Sequence, residues 1–450
     1  METLSSQDVC TRLVGIAELA RGHRARAFSS LHHVIDEKLL MVAFERTRKD
    51  GAVGVDGESA AKFAERLPER LAQLREALRR GTYRAPPVRR VHIPKGDGSK
   101  TRPIGIPTFE DKVLQRAVAM VLSAIYEEDF MPCSYGFRPG RSAHDAGDAL
   151  REGLMTMGGG VALELDIAQF FDTLDHGVLR KFLDRRVTDG VLRRAIDKWL
   201  AAGVLEDGGV KHPEEGTPQG GVISPLLANI YLHEVLDAWF EAEVKPRLRG
   251  RGFMVRYADD AVLAFEREDD ARRVHEVLHK RFERFGLRLH PEKTRLVRFG
   301  RPRRDGGGPG NAGQGGDDAT SFDFLGFTFH WAKSRRGYWV IKRRTAQDRF
   351  TRAVRRIWGW CKQHRHDPVP AQRDALAAKL RGHYGYYGIT GNQHALGRFF
   401  EVVRRTWWFW LWRRSRSARR SWSWFAALRD RIPLPPPIAV HSELRRTANP

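Results

Sequence analysis

Hydrophobic residues alternate with small or charged residues from Phe253 to Phe265, a stretch that reads FMVRYADDAVLAF. Strand-forming residues flank a central Ala-Asp-Asp step at 258–260. This pattern predicts a tight β-hairpin with two acids at its tip. The alternating stretch VALEL at 161–165 predicts a second strand, which ends at Asp166.

Apolar residues recur at helical spacing over longer segments. They predict helices at 37–46, 58–80, 111–126, two over 174–200, one that follows the glycine-rich segment 216–225, and two at 371–380 and 396–412. Strand patterns at 88–93 and 102–106 flank a Gly-Asp-Gly turn, and FDFLGFTF at 322–329 resumes strand character. The sequence therefore predicts an α+β fold.

Three carboxylates are candidates for one catalytic site: Asp166, Asp259 and Asp260. Adjacent carboxylates enclosed by apolar strands repel each other, and a divalent cation relieves that repulsion. Oxygen ligands of this kind suit Mg²⁺, and a three-acid set can hold two ions about 3.5–4 Å apart for phosphoryl transfer. The alternative is a solvated Asp-Asp turn.

Several motifs resemble one family in the same order along the chain: GVDG at 54, IPKGDGSKTRPIGIPT at 93, YGFRPGRSAHDA at 135, PQGGVISP at 218, YADD at 257, LRLHPEKTRLV at 287 and FDFLGF at 322. Together they resemble the bacterial group II intron reverse transcriptase/maturase family. The resemblance implies a right-hand polymerase fold. Fingers and palm with an antiparallel sheet would span 51–333, after an N-terminal helical extension at 1–50. An α-helical thumb/maturase domain would span 342–440, and the glycine-rich segment 301–320 would be a flexible insert.

The resemblance also implies a nucleotide site formed by Lys95, Arg102, Phe171, Gln219 and Lys293. The Arg102 guanidinium suits phosphate oxygens, and Phe171 would stack under the deoxyribose. Gln219 would hydrogen-bond the nascent base pair, and Lys293 would act as general acid towards pyrophosphate. The backbone carbonyl of Ile167 is implied as an extra metal ligand. The alternatives are an exposed basic hairpin, a core Phe and a surface Lys.

The charge of +23, from 78 Lys and Arg against 55 Asp and Glu, favours a nucleic-acid partner, with an anionic membrane surface as the alternative. We expect no membrane span because no apolar run reaches roughly 18 residues. The N-terminus lacks an apolar signal core, so we expect a protein of the bacterial cytoplasm.

Two groups of arginines are candidate RNA contacts. Arg138 and Arg141 flank a Pro-Gly turn, where structural salt bridges are the alternative. Arginines interleave with tryptophans near the C-terminus, a composition typical of nucleic-acid surfaces; the RNA-binding candidates there are Arg404, Arg405, Arg413, Arg414 and Arg416. The alternative is a tryptophan core with solvated arginines, and we expect a mixture of the two.

The predicted function is an RNA-directed DNA polymerase that extends a DNA primer on an RNA template and assists group II intron splicing. Its partners would be intron RNA, target DNA and dNTPs. One alternative is an RNA-binding maturase with little polymerase role, and another is a domesticated or CRISPR-associated reverse transcriptase. We expect no endonuclease module, because the sequence ends without a Cys-rich or His-rich tail.

Overall fold

The structure is a computed structural model that describes residues 2–95, 100–206, 209–211, 220–302, 321–414 and 422–441. Two compact units divide the chain. The first contains residues 1–153 and 160–296, and the second contains residues 154–159 and 297–450. Segment 1–50, predicted as a separate extension, is part of the first unit.

The first unit contains the helices predicted at 37–46, 58–80, 111–126 and 174–200 and after 216–225, together with others that the apolar spacing did not predict. The α-helices of this unit are α1 (Glu2–Gly22), α2 (Glu37–Arg46), α3 (Ala60–Ala64), α4 (Leu67–Arg80), α5 (Phe109–Tyr126), α6 (Ala143–Met157, which runs on into the second unit), α7 (His176–Asp184), α8 (Gly190–Leu200), α9 (Ser224–Leu232) and α10 (Glu268–Glu283). The predicted helix 58–80 is interrupted between α3 and α4, where Pro68 occupies the first turn of α4. Proline is tolerated there because it has no N–H to leave unpaired.

Helix α5 is the central helix of the first unit's core. Its predicted apolar face is fully buried, including Val113, Leu114 and Val118. Thr108 begins the helix by accepting a hydrogen bond from the backbone N–H of Asp111. The buried face packs against α1 and α2, which fixes the N-terminal segment onto this unit.

A four-stranded sheet carries the basic hairpin. Its strands are β1 (Val88–Lys95), β2 (Lys100–Ile106), β4 (Val204–Glu206) and β5 (Gly209–Lys211), in the order β2-β1-β4-β5. β1 and β2 are antiparallel, as predicted, whereas β1 and β4 run parallel.

A second four-stranded sheet carries the acidic hairpin. Its strands are β3 (Val161–Leu165), β6 (Gly252–Tyr257), β7 (Asp260–Phe265) and β8 (Arg295–Arg298), in the order β6-β7-β3-β8. β7 pairs antiparallel with both β6 and β3. Four of the five β3 side chains are buried, and so are all of those on β7 after Asp260, so the core lies against the strands that present the acids.

The second unit contains a separate three-stranded antiparallel sheet in the order β11-β10-β9. It comprises β9 (Ser321–Phe324), β10 (Phe327–Lys333) and β11 (Trp339–Thr345). The motif FDFLGF, expected at the end of the palm, lies in the second unit. Stacked Phe322 and Phe329, with ring centroids 5.2 Å apart, contribute to this sheet's own apolar face.

Helices form the rest of the second unit: α11 (Gln347–Gln363), α12 (Val369–Tyr387), α13 (Gln393–Trp412) and α14 (Trp422–Arg431). Their core includes Trp407, Leu380 and Phe425. Within the ranges described above, none of the helices combines the length and apolar character needed to span a membrane.

Candidate active site

The acidic hairpin consists of β6 and β7 joined by a two-residue turn, Ala258-Asp259. Tyr257 pairs with Asp260 as the last ladder position before the turn. Ala258 has φ of +58°, a left-handed conformation that costs an L-residue on the order of 1–3 kcal/mol unless its surroundings hold it. The predicted hairpin is present, and Asp259 lies half-buried at its tip.

Asp166 directly follows β3, at the same end of the sheet as the turn. Because β3 and β7 are antiparallel and Leu165 pairs with Ala261, the chain leaves β3 beside the start of β7. The backbone N–H of His290 donates to the Asp166 carbonyl at 2.8 Å. Lys293 Nζ donates to Asp166 Oδ2 at 3.0 Å. The structure thus joins the predicted lysine to one of the predicted acids.

The electrostatics of the turn reflect its neighbours. Burial raises the pKa of the Asp259 carboxyl because it disfavours the charged form; the positive charge of Arg102 opposes this shift, and the negative charge of Asp166 adds to it. Asp166, Asp259 and Arg102 are therefore within electrostatic range of one another. A half-buried carboxylate beside a second carboxylate suits a divalent cation, which offsets both the burial cost and the repulsion.

Asp260 differs from the other two acids because it is exposed. In the part of the chain that the structure describes, no three His, Cys, Asp or Glu side chains gather as a metal-ligand group. The three-acid site therefore stays a prediction. Ile167, implied as a carbonyl ligand, follows Asp166 and pairs with Leu289 in an isolated antiparallel bridge.

Phe170 and Phe171 form part of a 3₁₀ turn after Asp166. Phe170 is buried and packs edge-to-face on Tyr231, with centroids 6.3 Å apart. Phe171 is half-buried and contacts Phe170 edge-to-face at 5.4 Å. The two neighbours thus differ: one is a core residue, and the other keeps part of its ring accessible.

The basic hairpin supplies Arg102, which is exposed on β2 opposite Ile93. The side chain of Lys95 and all of Gln219 lie outside the described residues. Gly220 has φ of +115°, and a Cβ there would lie 2.5 Å from the carbonyl oxygen of Gly105. Only glycine fits this approach, so the chain just after Gln219 meets the strand that carries Arg102.

Sequence reasoning missed two buried polar side chains around the site. Gln115 Oε1 accepts a hydrogen bond from the backbone N–H of Val222 at 2.8 Å, which ties the glycine-rich segment to α5. Arg256, fully buried on β6, donates to the carbonyl of Ala258 in the turn. The available signal was a charged residue within an otherwise apolar strand.

Arg138 and Arg141 bind the protein's own backbone and side chains. Only 4% of the Arg138 side chain is exposed, and it bonds Glu127 and two carbonyls, including that of Ser134. Arg141 donates to the carbonyls of Pro132 and Ser134. These contacts correct the expectation for Arg138: an enclosed guanidinium in a salt bridge has no face left for a phosphate.

The candidate arginines of α13 and of the two residues after it differ in their contacts and in their exposure. Arg404 pairs with Glu401, and Arg414 donates to the carbonyl of His366 at 2.9 Å. Arg405 is exposed. Arg413 is also exposed and lies 4.8 Å from the centroid of the Phe409 ring. Arg416 lies outside the described residues, so Arg405 and Arg413 are the arginines of this helix region best placed to meet a ligand.

Residues 93–329, more than half of the chain, match the family described as reverse transcriptase (RNA-dependent DNA polymerase). The chain is 43% identical over 184 residues to Protein YkfC of Escherichia coli, an alignment that covers 40% of this chain and 48% of that protein. It is 39% identical over 184 residues to the group II intron-encoded protein LtrA of Lactococcus lactis, covering 40% of this chain and 30% of LtrA. It is 28% identical over 177 residues to the Arabidopsis thaliana nuclear intron maturase 2, mitochondrial, covering 30% of this chain and 24% of the maturase. The matches thus span half or less of each relative's length.

Proposed function

Because the chain belongs to the reverse transcriptase family, we propose that it extends a DNA primer on an RNA template. The observation that supports the proposal is that Asp166 follows β3 beside the Ala258-Asp259 turn, where the charge of Arg102 also acts on the Asp259 carboxyl. Carboxylates that bind cations and a guanidinium that binds phosphate are the kinds of group that nucleotidyl transfer uses. They provide ligands for cations on one side and a phosphate contact on the other.

The metal site would use Asp166 and Asp259, with Asp260 and the Ile167 carbonyl completing the ligands of two Mg²⁺ ions. The ions, when bound, neutralise phosphate charge and lower the pKa of the primer hydroxyl. Burial raises the pKa of Asp259, and a cation bound there would oppose that shift by favouring the charged carboxylate.

The protein's own side chains would hold the nucleotide. Arg102 would bind triphosphate oxygens through its forked N–H groups. Lys95 and Gln219 would contact the triphosphate and the nascent base pair. The accessible part of the Phe171 ring would lie under the sugar, where it leaves no room for a 2′-hydroxyl.

Lys293 would have two roles that follow from its contact with Asp166. Its ammonium nitrogen lies 3.0 Å from Asp166 Oδ2, and the hydrogen bond that it donates would hold that carboxylate in position. With a nucleotide bound, the Lys293 ammonium would donate a proton to the departing pyrophosphate, which is a better leaving group once it is protonated.

We also propose that the chain binds intron RNA and assists its splicing, because one relative is named a group II intron-encoded protein and another an intron maturase. The charge of +23 supports an RNA partner. Arg405 on α13 and Arg413 directly after it are exposed and would neutralise phosphates, while Arg404 and Arg414 contact the protein itself. Target DNA would supply the primer.

Primer extension tests the polymerase proposal. A DNA primer annealed to an RNA template should be extended to the template end with dNTPs and Mg²⁺, and a chelator should stop it. Tight RNA binding without any extension would instead support the maturase role alone. Splicing of a group II intron RNA encoded beside the gene, with and without the protein, tests that second role.

A further inference from the structure

We propose that four buried polar residues form a clamp that holds the Ala258-Asp259 turn in position: Arg256, Asp237, Asn229 and Ser134. We call this set the turn clamp. It rests on the proposed function, because the turn carries one of the proposed metal ligands. In this account its members are positioning residues that act on the reaction through Asp259.

Arg256 is the centre of the turn clamp, and all five of its N–H donors have partners. Nε and Nη2 form a bidentate salt bridge with the carboxylate of Asp237, in which Nε lies 2.7 Å from Oδ1. Nη2 also donates to Ser134 Oγ at 2.8 Å. Nη1 donates to Asn229 Oδ1 and to the carbonyl oxygen of Ala258, each at 2.9 Å. Five donors are the full complement of a guanidinium.

This ion pair is fully buried, with 0% of either side chain exposed. A buried pair seldom increases stability over an apolar pair of the same size, because both charges lose their water. Its presence under the turn is therefore poorly explained by stability alone. The bond from Arg256 to the carbonyl of Ala258 gives it a second role, since it fixes the peptide that precedes Asp259.

The turn has a conformation that needs such support. Ala258 carries a side chain at φ of +58°, and non-glycine residues persist in that region when their surroundings hold them. Gly136 presses on the turn from outside, so closely that a Cβ on it would lie 2.3 Å from the backbone nitrogen of Ala258. Asn229 Nδ2 donates to the carbonyl of Gly136 at 2.7 Å. Asn229 therefore contacts both Arg256 and Gly136, the two residues that hold the turn.

The backbone of the residues directly before Gly136 is hydrogen-bonded to β6. Arg256 N–H donates to the carbonyl of Cys133, and Tyr135 N–H donates to the carbonyl of Arg256, both at 2.8 Å. Segment 133–136 therefore pairs with the edge of β6 and reaches the turn. The clamp joins this segment, the helical region around Asp237 and the hairpin, three parts of the chain far apart in sequence.

The consequence is that loss of the clamp should misplace Asp259 without removing it. A displacement of about 1 Å in a catalytic group can cost on the order of 100-fold in rate. We expect weaker metal binding and a lower kcat, while KM for the primer–template duplex changes little because the buried clamp side chains do not contact the duplex themselves.

The test uses one double variant, Arg256→Met with Asp237→Leu. Both charged residues are replaced so that no unpaired charge stays buried. The matched control is Arg186→Met with Asp129→Leu, another enclosed ion pair of the first unit, with Nε 2.7 Å from Oδ2, whose hydrogen bonds do not reach the turn. Asn229→Ala is a second, uncharged variant in case the double variant does not fold.

Three readouts are compared with wild type: deuterium exchange of the peptide 253–265, Mn²⁺ binding by calorimetry, and single-turnover extension over a Mg²⁺ series. Both clamp variants should exchange faster in this peptide and bind Mn²⁺ about 10-fold more weakly or worse. The Arg256/Asp237 variant should lose on the order of 100-fold in kcat, and the control pair should keep wild-type exchange and metal affinity.

Folded clamp variants with wild-type exchange and wild-type Mn²⁺ affinity would overturn the proposal. An unchanged kcat at every Mg²⁺ concentration would do the same. If the wild-type protein itself neither binds Mn²⁺ nor extends primers, the proposed function fails, and the exchange readout alone still decides whether the clamp holds the turn.

Discussion

The most quantitative prediction concerns Asp111, a carboxyl that the catalytic proposal does not use. Its side chain is buried at the start of α5, and it accepts a hydrogen bond from the hydroxyl of Tyr83. Burial raises the pKa of Asp111 from 3.8 to about 7, and Glu110 adds to the increase. Trp199 Nε1 in turn donates to the Tyr83 hydroxyl at 2.7 Å. The folded protein therefore favours the protonated acid.

The sign follows from comparing the folded and unfolded states. Above pH 3.8 the unfolded chain releases the Asp111 proton, whereas the folded protein keeps it until about pH 7. Stability is therefore lost as pH rises between these values, and the full cost is present above pH 7. A difference of about 3 pKa units corresponds to roughly 4 kcal/mol, of which about 3 kcal/mol would be lost between pH 5 and pH 8.

The perturbation is Asp111→Asn, which keeps an oxygen acceptor for Tyr83 and removes the titration. An adjoining cavity of about 20 Å³, also lined by Gln115, has room for one water to satisfy the new amide. Denaturant unfolding at pH 5 and pH 8 should show the variant gaining on wild type by about 3 kcal/mol at the higher pH. Asp184→Asn, at an exposed acid paired with Arg193, is the control. Equal pH dependence of variant and wild type would refute the reasoning.

Two further predictions concern the nucleotide and the RNA. Phe171→Ala should admit ribonucleotides more readily, seen as a lower ratio of dNTP to rNTP incorporation; unchanged discrimination would assign this ring to the core alone. Replacing Arg405 and Arg413 with Gln should weaken RNA binding and flatten its salt dependence by roughly one to two units, since each phosphate contributes about 0.7–0.9. Arg404→Gln is the control, because Arg404 is paired with Glu401, and it should leave the salt dependence unchanged. If Arg404→Gln flattened the salt dependence and the Arg405/Arg413 variant did not, the RNA surface would lie elsewhere.

Local patterns in the sequence were sufficient to predict the strands that carry the three acids. Alternation predicted β3 and the hairpin because one face of each strand is buried, and helical spacing predicted the core face of α5. The lysine beside Asp166 came from the family motif, because spacing alone does not bring together residues 127 positions apart.

Contacts distant in sequence account for what the sequence did not reveal. The side-chain partners of Arg256 lie 19, 27 and 122 residues away, so the sequence around Arg256 does not identify it as the centre of a clamp. Arg138 looked like a surface arginine because it flanks a turn, yet Glu127 and backbone carbonyls enclose it. The strands 321–345 continue the predicted palm in sequence but pack in the second unit.

The central claim is that Asp166 and Asp259 carry nucleotidyl transfer. The most direct measurement is single-turnover extension of a DNA primer on an RNA template by Asp166→Asn and Asp259→Asn, with RNA affinity measured on the same preparations. The matched control is Asp197→Asn; Asp197 lies on α8 and forms an ion pair with Arg180. We expect both site variants to lose extension while they keep wild-type RNA affinity, and we expect the control to extend normally. Normal extension by either site variant would contradict it.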